Sequence, residues 1–340
     1  MEEKISVILP TYNQEKTIGR AIDSILNQKC HLPIEIIIGE DGSTDSTRAV
    51  CEAYAHRYPH IVRLMPKAPN KGITNNYYDC MLACHGKYIA DSAGDDFWTD
   101  REKLEKELQI MEQHPDVTLV HTNWRYYEED TQRTFPNTYT PFPTPITEGR
   151  LMLEAILTQT KAPVVHTCTA MYRADVMRRC YNAEPQLFRD PENGCEDMQL
   201  VFILAMNGNI AYLPDVTLNY SIGHNSVSCQ PDDRKQFRFV RRTASLSFSL
   251  AQRYGIKSDA TRRFFSAKAF ALLMHAFRSH SPQLRDEAVH CISGWNVRKD
   301  IKIKTALVIM SGSLSWYSAL TARALFVAAK RLANVFKQIR

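Results

Sequence analysis

Short apolar runs alternate with segments of helical periodicity over the first third of the chain. Ile5-Ser6-Val7-Ile8-Leu9 is an apolar run stopped by Pro10, which predicts a buried strand. In Lys16 to Gln28, Ile18, Ala21, Ile22, Ile25 and Leu26 share one helical face. Ile34 to Ile38 is nearly all apolar, as in a strand covered on both sheet faces. The alternation continues with a helix over Ser46 to Tyr58 and a strand over Ile61 to Met65. A helix over Ile73 to His85 and a strand over Tyr88 to Ala90 follow. Thr99-Asp100-Arg101-Glu102 has capping-box form and opens a charged helix to Glu112, and Val117 to Thr122 is again a strand. This βαβα order predicts the α/β class, with a mostly parallel, Rossmann-like sheet flanked by helices.

Phe135 to Thr147 holds Pro136, Pro141, Pro143 and Pro145, and reads as an extended connection or surface loop. Thr167 to Tyr172 predicts a strand, Glu196 to Met206 a helix, and Tyr212-Leu213 and Thr217 to Ser221 strand ends. After Asp233 the pattern is helical. The expected organisation is a catalytic domain over residues 1–232 and a helical region over 233–340. In such sheets ligands sit beyond the carboxyl ends of the strands, where Pro10, Asp41 and Asp95 fall.

Composition narrows the class. Hydrophobic residues make up 44% of the 340 and charged residues 23%, as in an ordinary globular chain. Nine irregularly spaced cysteines predict reduced, buried thiols, not a disulfide framework. Cys80, Cys84 and His85 suggest a metal site only superficially. The two thiols lie one helical turn apart, which predicts packing on one face, and no second ligand pair accompanies them. The N-terminal residues have no basic stretch followed by a long apolar run, which predicts a cytoplasmic protein with no signal peptide.

The net charge of +5 is modest and predicts no nucleic-acid partner, but it is unevenly spread. From Lys299 onward, Lys302, Lys304, Arg323, Lys330, Arg331, Lys337 and Arg340 face only Asp300. Thr305 to Ala322 is uncharged but interrupted by serines and Gly312, and Trp316, Tyr317, Leu325 and Phe326 follow among basic residues. That suits either an amphipathic basic helix peripheral to an anionic membrane or a helix packed on the protein with a solvated basic face.

Two acidic clusters end apolar runs: Ile38-Gly39-Glu40-Asp41-Gly42-Ser43-Thr44-Asp45, and Ala90-Asp91-Ser92-Ala93-Gly94-Asp95-Asp96. Bunched carboxylates repel and are costly to desolvate, so a cation or a donor-rich ligand is expected there. A divalent metal with a nucleotide meets that need. In the first cluster Asp45 or Ser46 also suits the cap of the next helix.

Pro10-Thr11-Tyr12-Asn13, Glu40 to Asp45, Asn70-Lys71-Gly72, Asp95-Asp96 and Glu196-Asp197 resemble, in this order, the pattern of glycosyltransferase family 2. The resemblance covers roughly residues 4–228. It implies a GT-A fold, a nucleotide-sugar donor (UDP-sugar first, dTDP- or GDP-sugar otherwise), a divalent metal (Mn²⁺ or Mg²⁺) and inverting transfer. The implied acceptor is a saccharide or lipid-linked oligosaccharide in cell-surface polysaccharide synthesis.

The implied donor site is Pro10, Tyr12, Asn13, Glu40, Asp41, Lys71 and Asp95, with Tyr12 stacking on the base and Asp41 accepting from base or ribose. The implied metal site is Asp95 and Asp96, with His224 as a further ligand or phosphate contact. Glu196-Asp197 resembles the family's acidic pair, with Asp197 as general base. The chain departs from the commoner pattern at Ala93, where an acid is usual, and at Ser221, where an Arg is usual.

Ala93 leaves a non-catalytic nucleotide-sugar binding protein as the rival reading; the acidic pair at 196–197 opposes it. A dinucleotide oxidoreductase or a pyrophosphorylase would need a Gly-rich or basic N-terminal loop, and Pro10 to Gln14 offers neither.

Overall fold

The computed structural model describes residues 2–138, 144–159, 164–223 and 231–323. The chain forms two compact units, residues 1–224 and 225–340. In the first, β1 (Glu2–Thr11), α1 (Ile18–Leu26), β2 (Ile34–Glu40), α2 (Thr47–Arg57), β3 (Val62–Leu64), α3 (Ile73–Ala83) and β4 (Gly86–Asp91) alternate. Then come β5 (Phe97–Trp98), α4 (Lys103–Gln113), β6 (Val117–Glu128), β7 (Arg133–Pro136), β8 (Ile146–Thr147) and α5 (Gly149–Thr158). The unit ends with β9 (Ala170–Arg173), α6 (Ala174–Ala183), α7 (Pro185–Arg189), α8 (Asp197–Asn207) and β10 (Asn209–Ile222).

One sheet collects these strands in the order β3-β2-β1-β4-β9-β6-β10-β5, with β7 on β6 and β8 on β10. The parallel pairings carry the long registers: β1 with β2 and β4, β2 with β3, and β6 with β10. The antiparallel pairings, through β9, β5, β7 and β8, are short. Because β9 is antiparallel to both β4 and β6, β6 runs parallel to β4. The carboxyl ends of β1, β2, β4, β6 and β10 therefore share one edge.

The central strands are apolar on both faces because helices cover both. Ile5, Val7, Ile8, Leu9, Ile36, Ile37 and Ile38 are fully buried. At Gly39 the sheet meets α3 so closely that a Cβ would lie 2.3 Å from Cys80 Sγ and 2.7 Å from Asn76 Oδ1. Asn76 seals that contact by donating to the Gly39 carbonyl at 2.6 Å. Cys80 and Cys84 are buried on the same helix side, and burial pushes both thiols up, Cys80 to about 12. Both thiols pack in the core on that face.

Several local expectations change. Thr99 to Glu102 forms no capping box: α4 opens at Lys103, and Asp100 Oδ1 instead accepts the Glu102 N–H at 2.9 Å. Thr167 to Thr169 is a 3-10 turn, and only Ala170 to Arg173 is strand. The two strand ends around Pro214 belong to one strand, β10, whose register with β6 shifts between Leu213 and Val216. Helices α5 and α6 were not expected, although each buries one face, with Met152, Leu153, Ile156 and Leu157 on α5 and Val176, Met177 and Tyr181 on α6. Trp98 and Trp124 are buried, which makes them core aromatics.

The second unit is helical among its described residues: α9 (Asp233–Arg253), α10 (Asp259–Arg278), α11 (Pro282–Gly294) and α12 (Ile301–Ser311). Ser258 caps α10 with a reciprocal Thr261 box. The uncharged stretch from Thr305 is not one continuous helix, because α12 ends at Ser311 and Gly312 is extended. No helix among the described residues is long and apolar enough to cross a membrane. Residues 324–340, with the tail's last four basic side chains, lie outside the described residues.

A buried ion pair anchors α4. Lys103 Nζ donates to Glu107 Oε2 at 2.7 Å, both side chains are fully buried, and the ammonium lies 4.5 Å from the Trp98 ring centre. Removing one partner leaves a buried charge alone, whereas replacing both with apolar groups does not. Lys103→Met is expected to lower urea-unfolding stability by about 3–5 kcal/mol, and Lys103→Met with Glu107→Leu to recover most of that loss.

Candidate active site

The loop after β1 and the loop after β2 are laced together. Asn13 takes a left-handed backbone (φ 52°). Its N–H donates to Ser43 Oγ at 2.9 Å, and its Oδ1 accepts the Thr44 N–H at 2.8 Å. Glu40, buried, accepts the Ser43 N–H at 2.5 Å. Asp45, not Ser46, supplies the carboxylate at the start of α2, accepting the Thr47 N–H at 2.9 Å. Gly42 is required: its φ is +70°, and a Cβ there would lie 2.8 Å from the Asn70 amide nitrogen. Glu40, Asn13 and Asp45 thus shape the turn, while Tyr12 remains 46% exposed beside it.

Asp41 is the hub of a third loop. Its Oδ1 accepts the Lys71 N–H at 2.9 Å and its Oδ2 the Gly72 N–H at 3.0 Å. Asn70 Nδ2 donates to the Asp41 carbonyl at 2.9 Å. Each carboxylate oxygen keeps further acceptor capacity, so this bracing does not exhaust Asp41. Lys71 is placed differently from a free phosphate-binding lysine. Its Nζ pairs with Asp79 at 2.5 Å, and Arg189 Nη2 pairs with the other Asp79 oxygen at 2.7 Å.

Asp95 and Asp96 lie where β4 has ended and β5 begins. Asp96 is buried, and its Oδ1 accepts the Ser221 N–H from β10 at 2.8 Å. Ser221 Oγ donates to the Asp95 carbonyl at 2.6 Å. Burial, then the Asp95 carboxylate, pushes Asp96 well above the usual range; burial, then repulsion from Glu129, raises Asp95. A guanidinium reaches this place from an element that sequence reading did not connect to it. Arg20 of α1 donates through Nη2 to the Asp95 carbonyl at 3.1 Å and pairs with Glu129 at 2.5 Å. Its carbon lies 4.1 Å from the Phe97 ring centre. No local signal marks Arg20, because it is one polar position on an amphipathic helix.

Asp91, the last residue of β4, extends the acidic cluster. It is buried, and its Oδ2 accepts from Tyr77 at 2.6 Å, while Tyr77 and Tyr172 hydroxyls lie 3.1 Å apart. Burial raises its carboxyl to about 7, with repulsion from Asp197 adding to the rise. Glu196 immediately precedes α8 without a side-chain capping bond, and its carbonyl accepts from the buried Tyr78 at 2.8 Å. Burial, then Asp197, then Asp91, pushes Glu196 up. The Cys168 thiol is raised by burial and then by the charges of Asp96, Asp91 and Asp95. Tertiary structure therefore brings Asp91 within electrostatic reach of Glu196 and Asp197, and Asp95 within reach of Asp96. Asp91 and Asp96 are buried, and Asp95, Glu196 and Asp197 are half-buried. His224 lies outside the described residues.

Residues 6–180 match the family described as "Glycosyl transferase family 2". The chain belongs to glycosyl transferase family 2. A protein of Mycobacterium tuberculosis described as uncharacterized is 30% identical over 239 residues, covering 68% of this chain and 63% of that protein. The family 2 chain thus spans somewhat less than two thirds of that relative's length.

Among solved structures, Staphylococcus aureus TarS residues 1–349 in complex with UDP-GlcNAc has a TM-score of 0.52 at 17% identity, covering 87% of this chain and 93% of that one. The mannosyltransferase PcManGT of Pyrobaculum calidifontis, in complex with GDP-Man and Mn²⁺, has a TM-score of 0.52 at 18% identity, covering 97% and 86%. At that identity both establish the shared fold.

The raised Asp91 carboxyl has a measurable consequence. A carboxyl shifted from 3.8 to about 7 binds a proton in the folded but not the unfolded chain between those values, so its contribution is full below the lower pH and lost as pH rises through the upper one. Asn at this position still accepts from Tyr77 but does not ionise. The stability of Asp91→Asn relative to the natural protein is expected to climb between pH 4 and 7 and to level off above, read by urea unfolding at several pH values.

Proposed function

We propose that this chain is an inverting glycosyltransferase that moves a sugar from a nucleotide-sugar donor to a hydroxyl of a saccharide or lipid-linked acceptor. The observation that supports the reading is electrostatic: Asp91 feels Asp197, and Asp91, Asp95 and Asp96 all act on the Cys168 thiol, at the carboxyl edge of the sheet where Tyr12 is also exposed. The complexes of TarS with UDP-GlcNAc and of PcManGT with GDP-Man and Mn²⁺ support a nucleotide-sugar donor.

The donor set fits a divalent metal. Asp95 and Asp96 are two hard oxygen ligands raised by burial and by neighbouring carboxylates, and the nearest guanidinium, Arg20, is shared with Glu129. Such a pair lacks positive charge, and Mn²⁺ or Mg²⁺ would supply it. When bound, the metal neutralises charge on the leaving diphosphate. Ala93 offers no third carboxylate.

The chain's own side chains do the rest. Tyr12 offers an exposed ring for the base, and Asp41 holds the 70–72 loop while keeping acceptor capacity towards the nucleoside. Asp197, first residue of α8, takes the proton from the acceptor hydroxyl as that oxygen attacks the anomeric carbon. Glu196, pushed up by burial and by Asp197, holds its proton more tightly and limits the repulsion at the base.

Thermal melting with UDP-, dTDP- and GDP-sugars, with and without Mn²⁺, tests this reading. One donor class should raise the melting temperature in a metal-dependent way, and Asp96→Asn should abolish the rise. Asp197→Asn should keep the rise and lower the transfer rate by about 10²–10⁴-fold. Donor stabilisation with neither transfer nor donor hydrolysis in the natural protein would make it a nucleotide-sugar binding protein.

The second unit supports docking to an anionic membrane near the acceptor. On α12, Ile301 is 76% and Val308 70% exposed, beside exposed Lys302 and Lys304. Truncation after Asp300 is expected to abolish flotation with liposomes containing phosphatidylserine; equal flotation of both forms would refute the docking.

A further inference from the structure

A second ligand cluster lies away from the acidic neighbourhood, in the connection between α1 and β2. That connection enters β2 at its amino end, opposite the edge that carries the acidic pairs. Cys30, His31 and Glu105 each present a ligand atom, and these atoms lie within 4.8 Å of one another. Among the described residues this is the one such group of three. We propose that Cys30, His31 and Glu105 form a zinc site that fastens the α1–β2 connection to α4.

The geometry supports an assembled site. His31 Nδ1 lies 2.9 Å from Glu105 Oε2, and the His31 N–H donates to the same oxygen at 3.1 Å. The backbone is already docked: Lys29 N–H donates to the Arg101 carbonyl at 2.7 Å, and Gln28 Nε2 to the Asp100 carbonyl at 2.7 Å. Glu112, two helical turns after Glu105 on α4, places Oε1 3.6 Å from His31 Nε2. A metal on Nδ1 would leave that Nε2–H facing a carboxylate, the outer contact that metal-bound histidines usually keep. Gln109 Nε2 donates to Glu105 Oε1 at 3.1 Å and steadies the ligand carboxylate.

The ligand chemistry selects the ion. One thiolate, one imidazole and one carboxylate suit zinc, with water in the fourth position, whereas Mg²⁺ and Mn²⁺ prefer oxygen alone. Burial and the Glu105 carboxylate hold the Cys30 thiol in its protonated form, at about 11. Metal binding would displace that proton to solvent and form the Zn–S bond, with no change of oxidation state. Cys30 is half-buried and lines a cavity of about 350 Å³ with Ile25, Leu32 and His60.

The site is independent of donor binding and is tested on the full chain after chelation. Added Co²⁺ should give the near-ultraviolet thiolate-to-cobalt band, and one equivalent of Zn²⁺ should bleach it. Cys30→Ser should lose the band, and His31→Ala, at an exposed position, should bind Zn²⁺ at least about tenfold more weakly in a competition with a chromophoric chelator. Glu112→Gln should weaken binding about tenfold through the outer contact. Asp96→Asn should leave all of this unchanged. No band in the natural protein, or a band that survives Cys30→Ser, would overturn the proposal.

Discussion

The parallel seating of β1 between β2 and β4 is the constraint on which the site depends. It pairs Thr11 with Glu40 on one side and Ile8 with Asp91 on the other. Three loops therefore start side by side, and the residues that follow each strand must settle one another's backbone hydrogen bonds. Asn13, Glu40, Asp41 and Asp45 do much of that work, because each offers a side-chain acceptor to an N–H that leaves the ladder. Sharp turns at Gly42 and Gly72 make the crossings possible.

The same crowding creates an electrostatic problem. Asp91, Asp95, Asp96 and Glu196 are all driven up by burial, and neighbouring carboxylates add to each rise. The protein offsets part of this with Tyr77 on Asp91, the Ser221 N–H on Asp96, and Arg20 at the Asp95 backbone. Arg20 is itself bound to Glu129, so its charge is shared. What remains is a neighbourhood short of positive charge at the strand ends, the condition under which a dication and an anionic donor bind together.

The two ligand clusters of this unit differ in kind. At the carboxyl edge the clustered groups are carboxylates alone, from the end of β4, the segment after it and the start of α8. In the α1–β2 connection a thiol and an imidazole join one carboxylate of α4. Ligand softness would distinguish the ions that two such clusters prefer.

The alternation of apolar runs and amphipathic segments was enough to determine the α/β class, since strands covered on both faces must be apolar throughout and their helices one-sided. The order of short acidic motifs at strand ends likewise determined the family, because those residues are local and contiguous. Roles within the motifs were not legible. Only the fold showed that Lys71 is tied to Asp79, that Asp41 holds the 70–72 loop, and that Arg20 brings a guanidinium to Asp95. Cys80 and Cys84, adjacent in sequence terms, proved to be packing, while Cys30, His31 and Glu105 met across 74 residues. Periodicity reports which face a side chain uses. Which partner it meets there depends on how distant elements pack, and that was settled by tertiary structure.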